Sequence, residues 1–406
     1  MPNDVPVKRT VLVLGSLHNS ALMTTRLLGQ AGHRVVLARD PTHPTTAFRS
    51  RYCAETWDCP PMRYDDRAFI DALAGFLAAR PDIAAVFPVG DLDSVILAHH
   101  RAALPEAVRV IMPDPKAVQT CHDKIALMRL ASQVGVPQTP YALAAGLDEL
   151  VREAERVGYP CVVKPVDSEL GLFDQKAVIL PDARHLHTTF RSWPTGHKGL
   201  IVQRFADGHR RDVYLLARGG RILRALQTRV IRTNRANGTG LVVEAVTVPL
   251  SDTLYGDCEK LMAALDYTGI AYIQFLYDPV RDQSCLLEVN ARLGVSYTIT
   301  AHCGLDLPNL ALRMAFDEPL PDLDMPFDYP TGRRYAWTYG DLTGLMRALS
   351  RREIGLPGAA AWLAKIPVSG LRADTHVTWS WHDPMPTLAS YGAMLRRWSG
   401  RAAGRA

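Results

Sequence analysis

At 406 residues the chain is long for one ordinary core, so two or three domains are expected. Its 48% apolar and 21% charged residues are those of an ordinary globular protein and exclude a disordered or fibrous chain. The net charge of +5, with no basic stripe interleaved with aromatics, argues against a nucleic-acid partner, and no apolar run approaches the roughly 18 residues of a membrane span.

The first residues, Met-Pro-Asn-Asp-Val-Pro-Val-Lys-Arg, lack the apolar core of a signal peptide. The seven cysteines are scattered without zinc spacing, so reduced thiols in a cytoplasmic protein are expected. Thr10–Leu14 is a β-branched run ending at Gly15, followed by a helix over Ala21–Ala31 and a strand over His33–Ala38 that closes near Asp40. That order is Rossmann-like, but Gly15 stands alone without G-x-G-x-x-G, so a dinucleotide site is not favoured. A strand at Ala84–Val89, a helix near Leu92–Ala103 and a strand at Val108–Met112 extend a small parallel sheet. Its strand-end loops, Ser16–Ser20 and Gly90-Asp91-Leu92-Asp93, are places for a ligand, or simply turns and caps.

After a linker at Pro113–Pro115, Asp123-Lys124 opens an amphipathic helix that Gly135-Val136-Pro137 stops. A lysine at a helix start opposes the helix dipole, a conflict that an anionic partner would resolve. Helix-like Asp148–Val157 leads to Cys161-Val162-Val163-Lys164-Pro165, a strand closed by a lysine. Gly199–Phe205 is a strand, and Asp212–Ala217 and Ile222–Gln227 pair about Gly219-Gly220. Arg229, Arg232 and Arg235 then recur every three residues before Asn237-Gly238-Thr239-Gly240. They read either as a solvated basic loop or as a glycine-hinged cover over an anion. Leu241–Val248 is a strand and Asp252–Leu265 a helix.

The stretch that organises the chain follows. Ala271–Tyr277 and Cys285–Val289 are strands about a turn-rich middle, Asp278–Ser284, which makes a β-hairpin. Side chains two apart share a strand face, so Glu288, Asn290 and, if the strand runs on, Arg292 point one way, and folding the hairpin sets Gln274 roughly opposite Glu288. One carboxylate and two amide oxygens suit Mg²⁺, which takes oxygen ligands and keeps waters and phosphate oxygens for the rest. The bland alternative is a half-exposed hairpin whose polar residues face water.

Residues 8–320 resemble the ATP-grasp superfamily, in particular carbamoyl phosphate synthetase and the carboxylate–amine ligases. There a strand bearing Gln or Glu precedes Glu-x-Asn-x-Arg; Gln274, Glu288, Asn290 and Arg292 fall on those positions, with Ala291 where Pro is usual. The resemblance implies an α/β ATP-grasp fold, two α+β subdomains gripping ATP, behind a Rossmann-like pre-domain. It divides the chain into a pre-domain at 1–113, the grasp domain at 114–320 (lid about 125–200, metal subdomain about 201–320) and a C-terminal extension at 321–406, to which no chemistry is assigned. It implies ATP and Mg²⁺, or Mn²⁺, as cofactors, with metal ligands Gln274, Glu288 and Asn290 and a catalytic Arg292. Lys124 and Lys164 would meet phosphates, and Gln203, Arg204 and Phe205 would form the adenine hinge.

Arg204 departs from a ribose-binding glutamate common near that position, which leaves Asp207 or Asp212 as substitutes. The resemblance implies that Arg229 belongs to a loop covering the triphosphate or an acidic substrate. The phosphate flap at Val166–Lys176 is poor in glycine and carries Ser168, Glu169, Gly171 and Asp174. The implied reaction is ADP-forming ligation of a small-molecule carboxylate to an amine in the cytoplasm, with no nucleic-acid or membrane partner and a homodimer admitted. Alternatives are a thiol or carbamate acceptor, although no biotin-carrier segment favours a carboxylase, or a catalytically weak ATP-binding regulator.

Overall fold

The computed structural model describes residues 7–15, 19–42, 45–62, 67–167, 170–173, 175–294, 296–321 and 327–403. Of the loops singled out above, residues 16–18 and Ser168, Glu169 and Asp174 lie outside the described residues, as do residues 322–326 of the C-terminal extension. Three sheets are formed among the described residues.

The first is parallel, in the order β3-β2-β1-β4-β5, with β1 Thr10–Val13, β2 Arg34–Arg39, β3 Cys53–Asp58, β4 Ile83–Phe87 and β5 Arg109–Val110. β1 is buried on both faces, as a β-branched run in a helix-covered parallel sheet should be. β3 and the helix Arg67–Ala78 were not anticipated, nor was the helix Pro115–His122, capped by Asp114, which starts at the last residue of the expected Pro113–Pro115 linker.

The second sheet is antiparallel and falls mostly within the segment expected as the lid. It runs β6-β9-β7-β8, with β6 Tyr141–Ala144, β7 Cys161–Pro165, β8 Val178–Leu180 and β9 Leu200–Arg204. Its inner face (Ala142, Cys161, Val163, Leu200, Val202) packs on the helix Leu147–Val157 through Leu150 and Ala154.

The third and largest sheet is ordered β14-β13-β10-β11-β12-β15-β16. Its strands are β10 His209–Arg218, β11 Arg221–Thr233, β12 Val242–Val248, β13 Gly269–Asp278, β14 Gln283–Asn290, β15 Arg334–Ala336 and β16 Thr375–His376. The expected hairpin is β13–β14. β11 runs on through Thr233, so Arg229 and Arg232 stand in a strand and not in the loop that the arginine spacing suggested. β15 and β16 come from beyond residue 320, so the C-terminal segment is built into the sheet.

One face of this sheet (Val213, Leu215, Ile273, Phe275, Val289) packs on the helices Pro115–His122, Lys124–Gln133 and Asp252–Ala264. On the other face Tyr214, Leu216, Leu226 and Tyr272 share one core with Val11, Val35 and Phe87 of the first sheet. The first sheet is thereby fixed against the hairpin, not tethered beside it.

Candidate functional site

The register of the large sheet assembles a polar row. Asp212 of β10 pairs with Gln274 of β13, and Gln274 with Glu288 of β14. Residues directly opposite in an antiparallel ladder project from the same face, so the three side chains stand abreast. Asn290, two residues on, shares that face opposite Tyr272. Its amide nitrogen donates to Glu288 Oε1 at 3.1 Å, and its oxygen accepts from Arg292 Nη2 at 3.2 Å. Gln274, Glu288, Asn290 and Arg292 are therefore brought together, with Glu288 exposed and Gln274 buried.

Arg292 is held from across the molecule. Its Nε and Nη2 donate to the two carboxylate oxygens of Asp91, both at 2.6 Å, and Nη1 donates to the Leu293 carbonyl. Asp91 begins the helix that follows β4, in the Gly90–Asp93 loop. Asp93 there is buried and accepts from the Val89 N–H at 2.7 Å, which shapes the loop. Burial works against the Arg292 charge, but Asp91 and Glu288 more than offset it and hold the guanidinium more firmly protonated than usual.

Two lysines complete the charge pattern. Asp123 caps the helix Lys124–Gln133 by accepting from the Ile125 and Ala126 N–H groups. Lys124 at its first position turns to the lid, where Nζ donates to the Pro165 carbonyl at 2.7 Å. Burial, and then the like charge of Lys164, bring its ammonium down to about 8, while Glu288 pulls the other way. Lys164 is lowered by burial and supported by Glu288. In the lid ladder Lys164 pairs with Ile201 and Val162 with Gln203, so Lys164 and Gln203 share the face opposite the lid core.

The other expected residues are placed differently. Arg204 shares the core face with its partner Cys161, and its Nη1 reaches the Val157 carbonyl at 3.2 Å, at the end of the helix Leu147–Val157. It closes a helix C-terminus. In the expected hinge, the N–H groups of Arg204 and Phe205 donate to the carbonyls of Pro140 and Pro160. Asp212 is fully buried in the polar row, bonded by Arg210 Nε at 3.1 Å and Tyr272 OH at 2.8 Å, whereas Asp207 is exposed. Arg229 pairs with Arg211, one residue out of phase with Asp212, and therefore projects from the back of the sheet. Arg232 is locked to Glu244 at 2.9 Å and to Asp341 at 3.0 Å.

Arg210 is the residue that sequence reasoning missed. Besides Asp212, its Nη2 donates to Tyr272 OH at 3.0 Å and Nη1 to the Gly240 carbonyl at 2.9 Å. Burial opposes its charge; Asp212, Tyr272 and Glu288 together outweigh that and raise it. Its position two residues before Asp212 on one strand was the available signal. The bond to Gly240 anchors one end of the glycine loop, and Asn237 Nδ2 meets Gln175 of the lid at 3.4 Å. Gly240 has φ of +120°, and an added Cβ would lie 2.5 Å from Arg235 Cγ, so this corner requires glycine.

Among the described residues no group of three or more His, Cys, Asp or Glu is arranged to hold a metal. A cation here would depend on one carboxylate and two amide oxygens, a hard-oxygen set that fits Mg²⁺ or Mn²⁺ better than zinc. Also among the described residues, no helix is long and apolar enough to cross a membrane.

Residues 123–323 match the family model described as the carbamoyl-phosphate synthase L chain, ATP binding domain. The chain is 28% identical over 234 residues to urea amidolyase of Saccharomyces cerevisiae, covering 55% of this chain but 13% of that protein. Among solved structures it resembles a biotin carboxylase from Campylobacter jejuni, described as a β-γ-ATP complex (TM-score 0.62, 16% identity, 82% of this chain and 75% of that one). It likewise resembles an L-amino acid ligase from Bacillus licheniformis (TM-score 0.63, 17% identity, 81% and 79%). The family match makes residues 123–323, which hold the second sheet and most of the large one, an ATP-grasp domain of the kind described for the carbamoyl-phosphate synthase L chain.

Proposed function

We propose that the protein is a cytoplasmic ATP-dependent ligase that activates a carboxylate as an acyl phosphate and joins it to an amine, releasing ADP and phosphate. The observation that carries this reading is the setting of Glu288. One exposed carboxylate, flanked by two amides, is felt by Lys124, Lys164, Arg210 and Arg292, which come from separate parts of the chain. Such a convergence suits a polyanion whose charge must be neutralised and aligned.

Glu288, Gln274 and Asn290 would hold Mg²⁺, which when bound neutralises phosphate charge. Lys124 and Lys164 would take up triphosphate oxygens from the lid side. A carboxylate oxygen of the acid attacks the γ-phosphorus, the bond to the β–γ bridging oxygen breaks, and ADP leaves. The amine lone pair then attacks the acyl carbon, and phosphate departs with the C–O electron pair while the amine proton passes to phosphate or solvent. Four N–H groups of Arg292 are committed to Asp91, Asn290 and Leu293. Its resting part is to fix Asn290 and supply positive charge; a two-point grip on the acyl phosphate would require Asp91 to let go. The likeness to an L-amino acid ligase supports testing amino acids first as both acid and amine.

Glu288→Gln is expected to lower ADP release at least about a hundredfold with an unchanged circular dichroism spectrum. Undiminished turnover would refute the assignment. The wild-type protein, assayed for ADP against a panel of amino acids with mass detection of products, is expected to yield an amide; a thioester or carbamate product would redirect the acceptor class. ATP binding without turnover throughout the panel would favour a regulator.

A further inference from the structure

The helix Leu356–Arg372 carries apolar residues on two sides, and only one is covered. Ala359, Trp362, Ile366 and Ser369 face inward. Ile366 and Ala359 share a small core with Leu345, Trp362 Nε1 donates to Asp341 at 2.6 Å, and Ser369 meets Arg232 at 3.2 Å. The outer stripe, Leu356, Ala360, Leu363, Pro367 and Leu371, repeats at helical spacing and faces out. Leu356 is 81%, Leu363 55% and Leu371 89% exposed, and the neighbouring Val368 is 47% exposed. A helix apolar all round belongs inside something, and the chain covers half of this one.

Charge indicates what covers the rest. Residues 354–373 contain no Asp or Glu, and their charged residues are Lys365 and Arg372, both exposed. The acids at the two ends are engaged: Glu353 with Arg347 at 3.6 Å, and Asp374 with Arg333 at 3.0 Å. Residues 384–406 are also free of acids. There Met385, Leu388 and Leu395 form a second exposed stripe on the helix Met385–Ala403, beside the exposed Arg396, and Trp381 just before that helix is 84% exposed.

A second copy is a poor occupant. A two-fold contact sets the same patch against itself, and with no acid in residues 354–373 the second copy's helix offers nothing to pair with Lys365 or Arg372 at the rim of the stripe. An anionic bilayer surface supplies both an apolar layer for the leucines and negative headgroups for the cations.

We propose that the helix Leu356–Arg372 docks the protein on the surface of an anionic membrane, its leucine stripe lying in the headgroup boundary. This departs from the expectation of no membrane partner, which rested on the absence of a spanning run; surface docking needs no span. The inference is independent of the proposed ligase activity. The full chain is sedimented with vesicles of phosphatidylcholine alone and of phosphatidylcholine with phosphatidylglycerol. Binding to the mixed vesicles at least about tenfold stronger than to the neutral ones is expected, weakening with salt. Leu363→Asp with Leu371→Asp should abolish binding, and Lys365→Glu with Arg372→Glu should erase the anionic preference; both pairs are exposed, so folding is preserved. No binding to either vesicle, or binding unchanged in the leucine variant, overturns the proposal. So does a dimer in light scattering that the leucine variant disperses, since that would make the stripe an interface between copies.

Discussion

At the scale of single residues, Lys124 is the group whose chemistry depends most on what surrounds it. Burial and the nearby Lys164 bring its ammonium down to about 8 from the ordinary lysine value of 10.5. Between those values the folded protein holds fewer protons than the unfolded chain, so stability rises with pH across that window, and below about 8 folding bears the cost of a buried charge. A polyanion reverses the balance by favouring the charged lysine. Nucleotide binding is therefore expected to take up protons at pH about 8, with affinity falling as pH rises through that value. Calorimetric titration in two buffers of different ionisation heat measures the uptake, and Lys124→Met should remove it. Equal heats in both buffers with the wild-type protein would mean that no phosphate reaches Lys124.

At the scale of elements, the strand β9 shows how one residue's phase decides its task. Gln203 and Arg204 are neighbours, yet Gln203 faces with Lys164 while Arg204, exposed on the opposite face, donates to the Val157 carbonyl. A cation at a helix C-terminus contributes about 0.3–1 kcal/mol. Arg204→Ala should lower lid stability by that order and leave the KM for ATP within about twofold. A tenfold rise in KM would instead assign Arg204 to the nucleotide. The same alternation sets Arg229 behind the sheet while Asp212, Gln274 and Glu288 line its front.

At the scale of the whole molecule, the C-terminal segment is bound back to the first sheet by a buried ion pair. Arg26 Nε meets Asp383 Oδ2 at 2.8 Å, with the two side chains 3% and 2% exposed. The Ser50 hydroxyl donates to the same Asp383 oxygen and the Arg51 N–H to the other, and Arg26 also donates to the Thr378 carbonyl at 2.7 Å. Asp383→Ala strands a buried guanidinium and should cost about 3–5 kcal/mol in denaturant unfolding. Replacing both partners, Arg26→Met with Asp383→Leu, should recover most of that loss. A single variant as stable as wild type would mean that this seam is not closed in solution.

The hairpin β13–β14 was legible in the sequence because strand alternation and a turn-rich middle are local. From them follow the pairing of Gln274 with Glu288 and the common face of Glu288 and Asn290. Lysine at the end of an apolar strand is equally local, which is why Lys164 stood out. The local rules failed where a partner comes from far along the chain. Arg292 meets Asp91, Arg232 meets Asp341 and Arg26 meets Asp383, and no spacing within any of those segments names the other. The arginine series from Arg229 looked like a loop because its polar residues break the apolar pattern. Pairing with Arg211 and Glu244 keeps it in a strand. Periodicity along the backbone thus determined which side chains share a face, whereas closure of the sheets against one another decided which charges that face would meet.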